Sequence, residues 1–142
     1  MADRKGQAVL SPGQGKVIPF IGTVKVSGSN SNGLFELIEY VGPATPPPHV
    51  HRQNEEVFFV LEGTFRFSLE EDEFDVGAGS LVHVPRGTRH GFTTGPSARA
   101  LLIVTPAGLE GFFDELGQGL TAGRSGPELR ALLAGKYDSE PV

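Results

Sequence analysis

Three of the four histidines and one glutamate are spaced for metal chemistry. His49 and His51 are separated by a single residue. On an extended segment, residues i and i+2 point to the same side, so the two imidazoles form a ready chelate for a divalent ion. Five residues after His51, Glu56 opens the run EVFFVL. Its alternation puts Glu56, Phe58 and Val60 on one face and Val57, Phe59 and Leu61 on the other. A carboxylate that shares a face with Phe58 and Val60 points into a core, which is costly unless it is paired or binds a metal. Glu55, on the opposite side, is the better surface residue. His90 follows a turn-rich stretch and shares its face with Phe92 and Thr94. His83 lies on a separate alternating segment and reads as a wall or core histidine rather than a fifth ligand.

His49, His51, Glu56 and His90 together make a set of hard and borderline ligands. Such a set suits one divalent transition metal ion, Fe, Ni, Mn, Co or Zn, with geometry and supply deciding which. Four protein ligands leave an octahedral ion open positions for water, substrate or dioxygen. There is no cysteine, which removes thiolate ligands, disulfides and a thiol nucleophile together.

The elements that must position this set are short strands. The chain has 142 residues, of which 20 are glycine and 11 proline, and these punctuate apolar, β-branched and aromatic runs. Strands are expected over Val24–Val26, Leu34–Val41, Glu56–Leu61, Thr64–Leu69, Phe74–Val76, Leu81–Val84 and Ala98–Val104, with SGSNSNG at 27–33 and the acidic stretch Glu70–Glu73 as turns. Pro43 and Pro46–Pro48 forbid a helix before His49. Short strands with frequent turns point to an all-β sandwich or barrel. After Pro106 the period changes. Leu109, Phe112, Phe113 and Leu116 mark one helix, expected to end at Gly117. Leu129, Leu132 and Leu133 mark a second, with Pro127 in its first turn and Gly135 at its end. The organisation expected is an N-terminal arm at 1–20, a barrel at 21–106, and a helical extension at 107–142 packed on the barrel or on a dimer partner.

Charge narrows the partners. Lys+Arg is 12 and Asp+Glu 17, a net charge of −5, and no basic stripe exists for a phosphate backbone. Nucleic acid is therefore excluded as the expected partner. The longest clean apolar runs, Val57–Leu61 and Ala100–Val104, are five residues against about 20 for a membrane helix. No membrane partner is expected, and a cytoplasmic location is. The GQG triplets at 13–15 and 117–119 lack the strand–helix context of a nucleotide site. Arg86 and Arg89 read as solvated turn residues.

Two stretches together resemble the signature motifs of the cupins. The first is Gly42-PATPPP-His49-Val-His51-RQNE-Glu56-VFFVLE-Gly63. The second is Gly79-SLVHV-Pro85-Arg-Gly87-TR-His90-GFT-Thr94. Two departures are visible: the spacer from Gly42 to His49 has six residues where five is usual, and Thr94 stands where asparagine is common. Neither removes a ligand position. The resemblance covers roughly residues 33–105 and is strongest to small single-domain bacterial cupins of the quercetin 2,3-dioxygenase-like kind. It implies an all-β double-stranded β-helix (jelly-roll) barrel followed by two short C-terminal helices. It also implies metal ligation by His49, His51, Glu56 and His90, and a homodimer. The expected activity is dioxygenase-type oxidoreductase chemistry on a small phenolic or enol substrate, with Glu56 as ligand and catalytic base. Leu34, Tyr40, Phe58 and Phe92 are the candidate substrate-pocket residues. Alternatives on the same site are a metal-dependent isomerase, cyclase or lyase, and a binding cupin without turnover.

Overall fold

A computed structural model describes residues 8–142. The first seven residues of the expected arm lie outside the described residues. Eleven strands follow in order: β1 (Lys16–Ile18), β2 (Gly22–Val26), β3 (Glu36–Val41), β4 (His49–Val50), β5 (Glu55–Glu62), β6 (Phe65–Leu69), β7 (Asp72–Val76), β8 (Leu81–Val84), β9 (His90–Thr94), β10 (Arg99–Thr105) and β11 (Glu140–Pro141). Helices α1 (Glu110–Thr121) and α2 (Gly126–Leu133) lie between β10 and β11. The strands form two antiparallel sheets, β1-β2-β3-β10-β5-β8 and β11-β4-β9-β6-β7. This is the expected jelly-roll barrel with two short C-terminal helices.

Alternation builds the core. On β5, Glu56, Phe58 and Val60 are buried, while Phe59 faces out. Phe65 and Phe67 of β6 and Phe92 of β9 point inward from the other sheet. Phe58 meets Phe67 at 5.1 Å and Phe92 at 5.4 Å between ring centroids, and Tyr40 meets Phe92 at 5.5 Å. The tilts are the edge-on arrangements that aromatic quadrupoles favour.

Several boundaries differ from the sequence reading. Lys16–Ile18, placed above in the arm, is a strand of the larger sheet, and Ile18 is buried. The β6–β7 turn is only Glu70-Glu71, with Glu70 at φ 53°. Asp72 and Glu73 already belong to β7. The acidic residues hold the strand because Arg66 on β6 ion-pairs with Glu73 and Asp75 across the outer face. β3 starts at Glu36, two residues later than expected.

α1 runs past Gly117 to Thr121. Gly117 is a contact residue, since a Cβ there would meet the Pro19 carbonyl oxygen at 2.6 Å. α2 begins on Ser125, whose hydroxyl accepts from Glu128 N–H, with Pro127 in the first turn. Its buried residues are Leu129 and Leu133, while Leu132 is exposed. The helix is thus rotated from the expected phase, and Arg130 turns toward the barrel. Among the described residues, no helix is long and apolar enough to cross a membrane.

One buried carboxylate joins the helices to the barrel. Glu36 of β3 accepts hydrogen bonds from Leu109 N–H (3.0 Å) and Glu110 N–H (2.9 Å) at the start of α1. A carboxylate there satisfies two orphan donors and faces the positive end of the helix dipole.

Candidate metal centre

The two sheets bring four separated residues to one point. His49 lies on β4, directly across from His90 on β9. His51 follows β4, and Glu56 reaches over from β5 of the other sheet. All four are buried, and one ligand atom from each falls within 4.8 Å of the others.

The imidazoles are held from behind. Each Nδ1 lies against a backbone carbonyl: His49 to Pro47 O at 2.8 Å, His51 to Asp138 O at 2.5 Å, and His90 to Thr88 O at 2.9 Å. With a proton on each Nδ1 donated to its carbonyl, all three Nε2 lone pairs are left free to face the centre, the tautomer that metal-ligating imidazoles adopt. Glu56 Oε1 is 3.0 Å from His90 Nε2. His51 Nε2 lies 3.3 Å from the same oxygen, off the hydrogen-bond axis, and is a buried nitrogen without a hydrogen-bond partner. An orphaned lone pair aimed at two imidazoles and a carboxylate fits a cation among them. These residues fit the implied metal.

Electrostatics support the same donor set. Burial and the neighbouring His90 push the His49 pKa down to about 3, so His49 stays neutral at pH 7. Burial opposes charge on Glu56, yet His51 and His90 beside it hold its carboxyl well below the usual range. Glu56 is therefore an anion. Burial also opposes charge on His51, and Glu56 outweighs it, raising the His51 pKa. Burial moves the Tyr40 hydroxyl above its ordinary pKa, so it remains a donor.

A cavity of about 20 Å³ adjoins this group, lined by His49, His51 and Glu56 with Tyr40, Phe58 and Phe92. That volume holds roughly one water-sized molecule. Its other walls include Phe112 and Phe113 of α1 and Arg130 of α2. Three of the four pocket candidates thus line the cavity. Leu34 does not: it precedes β3, is exposed, and lines an outer cleft of about 910 Å³ with Leu10, Pro12, Lys25 and Arg99. That cleft contains none of the histidines. His83 stands outside the centre, paired with Glu55 on the surface.

Two contributors were not expected from sequence. The Asp138 carboxylate accepts from the N–H groups of Arg52 (2.7 Å), Gln53 (2.6 Å) and Asn54 (2.9 Å), tying down the turn between His51 and Glu56. Arg130 is the second. Asp138 had no sequence signal at all, being 87 residues from His51. Arg130 was hidden by the assumed phase of α2.

Residues 37–105 match the cupin domain family. The barrel is a cupin. The chain is 28% identical over 89 residues to a quercetin 2,3-dioxygenase of Bacillus subtilis, covering 59% of this chain and 26% of that protein. It is 35% identical over 65 residues to an oxidoreductase of Pestalotiopsis fici, covering 45% of this chain and 32% of that one. The cupin therefore spans less than a third of the length of these two relatives. Among solved structures, a protein from Planctomyces limnophilus superposes with a TM-score of 0.59 at 17% identity, over 71% of this chain and 90% of that chain. A Klebsiella pneumoniae protein with a double-stranded β-helix domain gives 0.51 at 17% identity, over 70% and 83%. Both likenesses concern the fold.

Proposed function

We propose that this cupin is a metal-dependent enzyme with dioxygenase-type chemistry on a small phenolic or enol substrate, working in the cytoplasm as a homodimer. The convergence of three imidazoles and one carboxylate beside an aromatic-walled cavity carries the reading. Similarity to the Bacillus subtilis dioxygenase supports the oxygenase class. A divalent ion held by His49, His51, Glu56 and His90 would supply Lewis acidity and a meeting place for an ionised substrate and O₂. Glu56 is placed to accept the substrate hydroxyl proton. Phe58 and Phe92 exclude water, and the Tyr40 hydroxyl is available to donate a hydrogen bond to the substrate. The substrate itself supplies the electrons that reduce O₂, so no external reductant is needed.

The cavity bounds the substrate. Pockets for drug-sized ligands are about 300–1,000 Å³, far above the room beside the histidines. A flavonol therefore requires α1 and α2 to move, whereas a compact enol demands less. The test is O₂ uptake by protein loaded separately with Fe, Mn, Co, Ni or Zn, using a flavonol and a compact enol. Metal-dependent uptake matched to product supports the proposal. Turnover that persists without O₂ and is complete with Zn overturns it in favour of a lyase or isomerase.

A further inference from the structure

The inner cavity has a neighbouring space. A surface cleft of about 400 Å³ lies beside it, and Tyr40, Pro46 and Arg130 line both spaces. They form the partition between the cleft and the metal-ligand group. The cleft walls are otherwise apolar or neutral, including Phe20, Ile21, Leu116 and Leu120. Arg130 is the only charged residue among those that line it.

Arg130 is also the odd member of its residue type. Arg52, Arg66, Arg86, Arg99 and Arg124 all ion-pair with carboxylates. Arg89 has no carboxylate partner among the described residues but is exposed. Arg130 is half-buried and, among the described residues, has no carboxylate partner. Its guanidinium carbon sits 5.6 Å from the centre of the Phe112 ring, a cation–π contact that orients the group without neutralising it. Burial draws its pKa down from the ordinary arginine value, although Tyr40 and Glu56 act the other way. A desolvated cation without a counter-ion is costly, and its planar fork matches a carboxylate in two-point contact.

We propose that the outer cleft and inner cavity are one substrate site, selective for a small carboxylate-bearing molecule whose anionic group is held by Arg130. The apolar body of the ligand lies in the cleft, and its reactive hydroxyl reaches toward Glu56. The proposal deepens the enzyme reading above and rests on it for the ligand's orientation. The charge agrees in sign: Glu56 with a divalent ion leaves one positive charge, Arg130 adds a second, and the ligand's carboxylate offsets one of the two.

The test compares 2-hydroxybenzoate with 2-hydroxybenzamide by titration calorimetry, on metal-free and metal-loaded full-length protein. The two probes have nearly the same shape and differ in charge. A charge-assisted pair predicts that the benzoate binds ~10–100-fold more tightly. Arg130→Met should abolish that preference while metal content and circular dichroism stay unchanged. Arg130→Lys should keep part of it, because the charge remains and the fork is lost. Equal affinity of wild type for both probes overturns the proposal, with no variant needed. So does a preference that survives in Arg130→Met. A preference that stands without any O₂ uptake supports the carboxylate site while removing the dioxygenase reading.

Discussion

Asp138→Ala isolates what the C-terminal segment does for the metal centre. The Asp138 carboxylate accepts three backbone N–H groups at 2.6–2.9 Å, from Arg52, Gln53 and Asn54. Arg52 and Gln53 are exposed, so water takes over their donors. Asn54 is buried, and its N–H would be left unsatisfied. A buried orphan donor costs ~1–3 kcal/mol, and the solvated bonds add about 0.5 kcal/mol each. The sum is ~2–4 kcal/mol, which for a chain of this size lowers Tm by ~6–12 °C. Because the same turn carries His51 to its place, metal affinity should fall ~10–100-fold, as it does when second-shell support is lost. Differential scanning calorimetry of metal-free protein and chelator competition of loaded protein measure the two effects. The pH dependence has a definite sign. Burial opposes ionisation of Asp138, but the three N–H donors and His51 prevail and depress its pKa below the ordinary 3.8. The contribution is therefore present above about pH 3.8 and disappears as pH falls through the folded-state pKa. Wild type and Asp138→Ala should differ most near neutrality and converge in strong acid. A Tm within a degree of wild type at pH 7, together with unchanged metal affinity, would refute the reasoning.

His49→Ala should remove most of the bound metal, read by elemental analysis of protein purified in parallel with wild type; unchanged content means the ligand set is wrong. Glu36→Gln keeps one acceptor for Leu109 and Glu110 N–H and loses the other, a cost of ~1–3 kcal/mol in urea unfolding, with faster amide exchange at the start of α1. The proposed homodimer has a candidate face. Leu101, Phe59 and Leu81 are in register across the outside of the larger sheet, beside Leu37, Ile103 and Val57, and Phe59 and Leu81 are exposed. Light scattering should show a dimer for wild type and a monomer for Leu81→Lys; a wild-type monomer at micromolar concentration refutes the assembly.

How much of this was legible in the sequence depends on the range of the interaction. The grouping of His49, His51 and Glu56 was, because strand alternation and fixed spacings are local: His49 and His51 share a side, and Glu56 shares a face with Phe58, while His90 joins the cluster from a distant strand. The barrel was legible for the same reason. What failed required knowledge of neighbours. Lys16–Ile18 is too short and too close to the polar, Gly/Pro-rich stretch before it to announce a strand, yet gains its ladder from β2. Gly117 has the form of a helix stop, but its missing side chain makes room for Pro19. Leu132 turns out to be exposed because three leucines at 129, 132 and 133 do not fix the phase of an eight-residue helix. Only the barrel surface decides which side is buried.

The residues outside the motifs also decide how an anion would reach the centre. The chain carries a net charge of −5, so its long-range field does not attract carboxylates. That field is screened over about 8 Å at physiological ionic strength. Inside the cleft the balance reverses, since Arg130 is the only charged residue among the described residues that line it and most of the other walls are apolar. A carboxylate that enters sheds water and gains a desolvated guanidinium that has no ion-pair partner among the described residues. A neutral analogue of equal shape sheds less water but leaves that cation unpaired. Discrimination between the two is therefore set by a short-range contact in a low-dielectric space, where interactions are stronger than in water. Surface steering would vanish in high salt, whereas this preference should persist from 50 mM to about 500 mM salt, because buried pairs are screened far less than exposed ones.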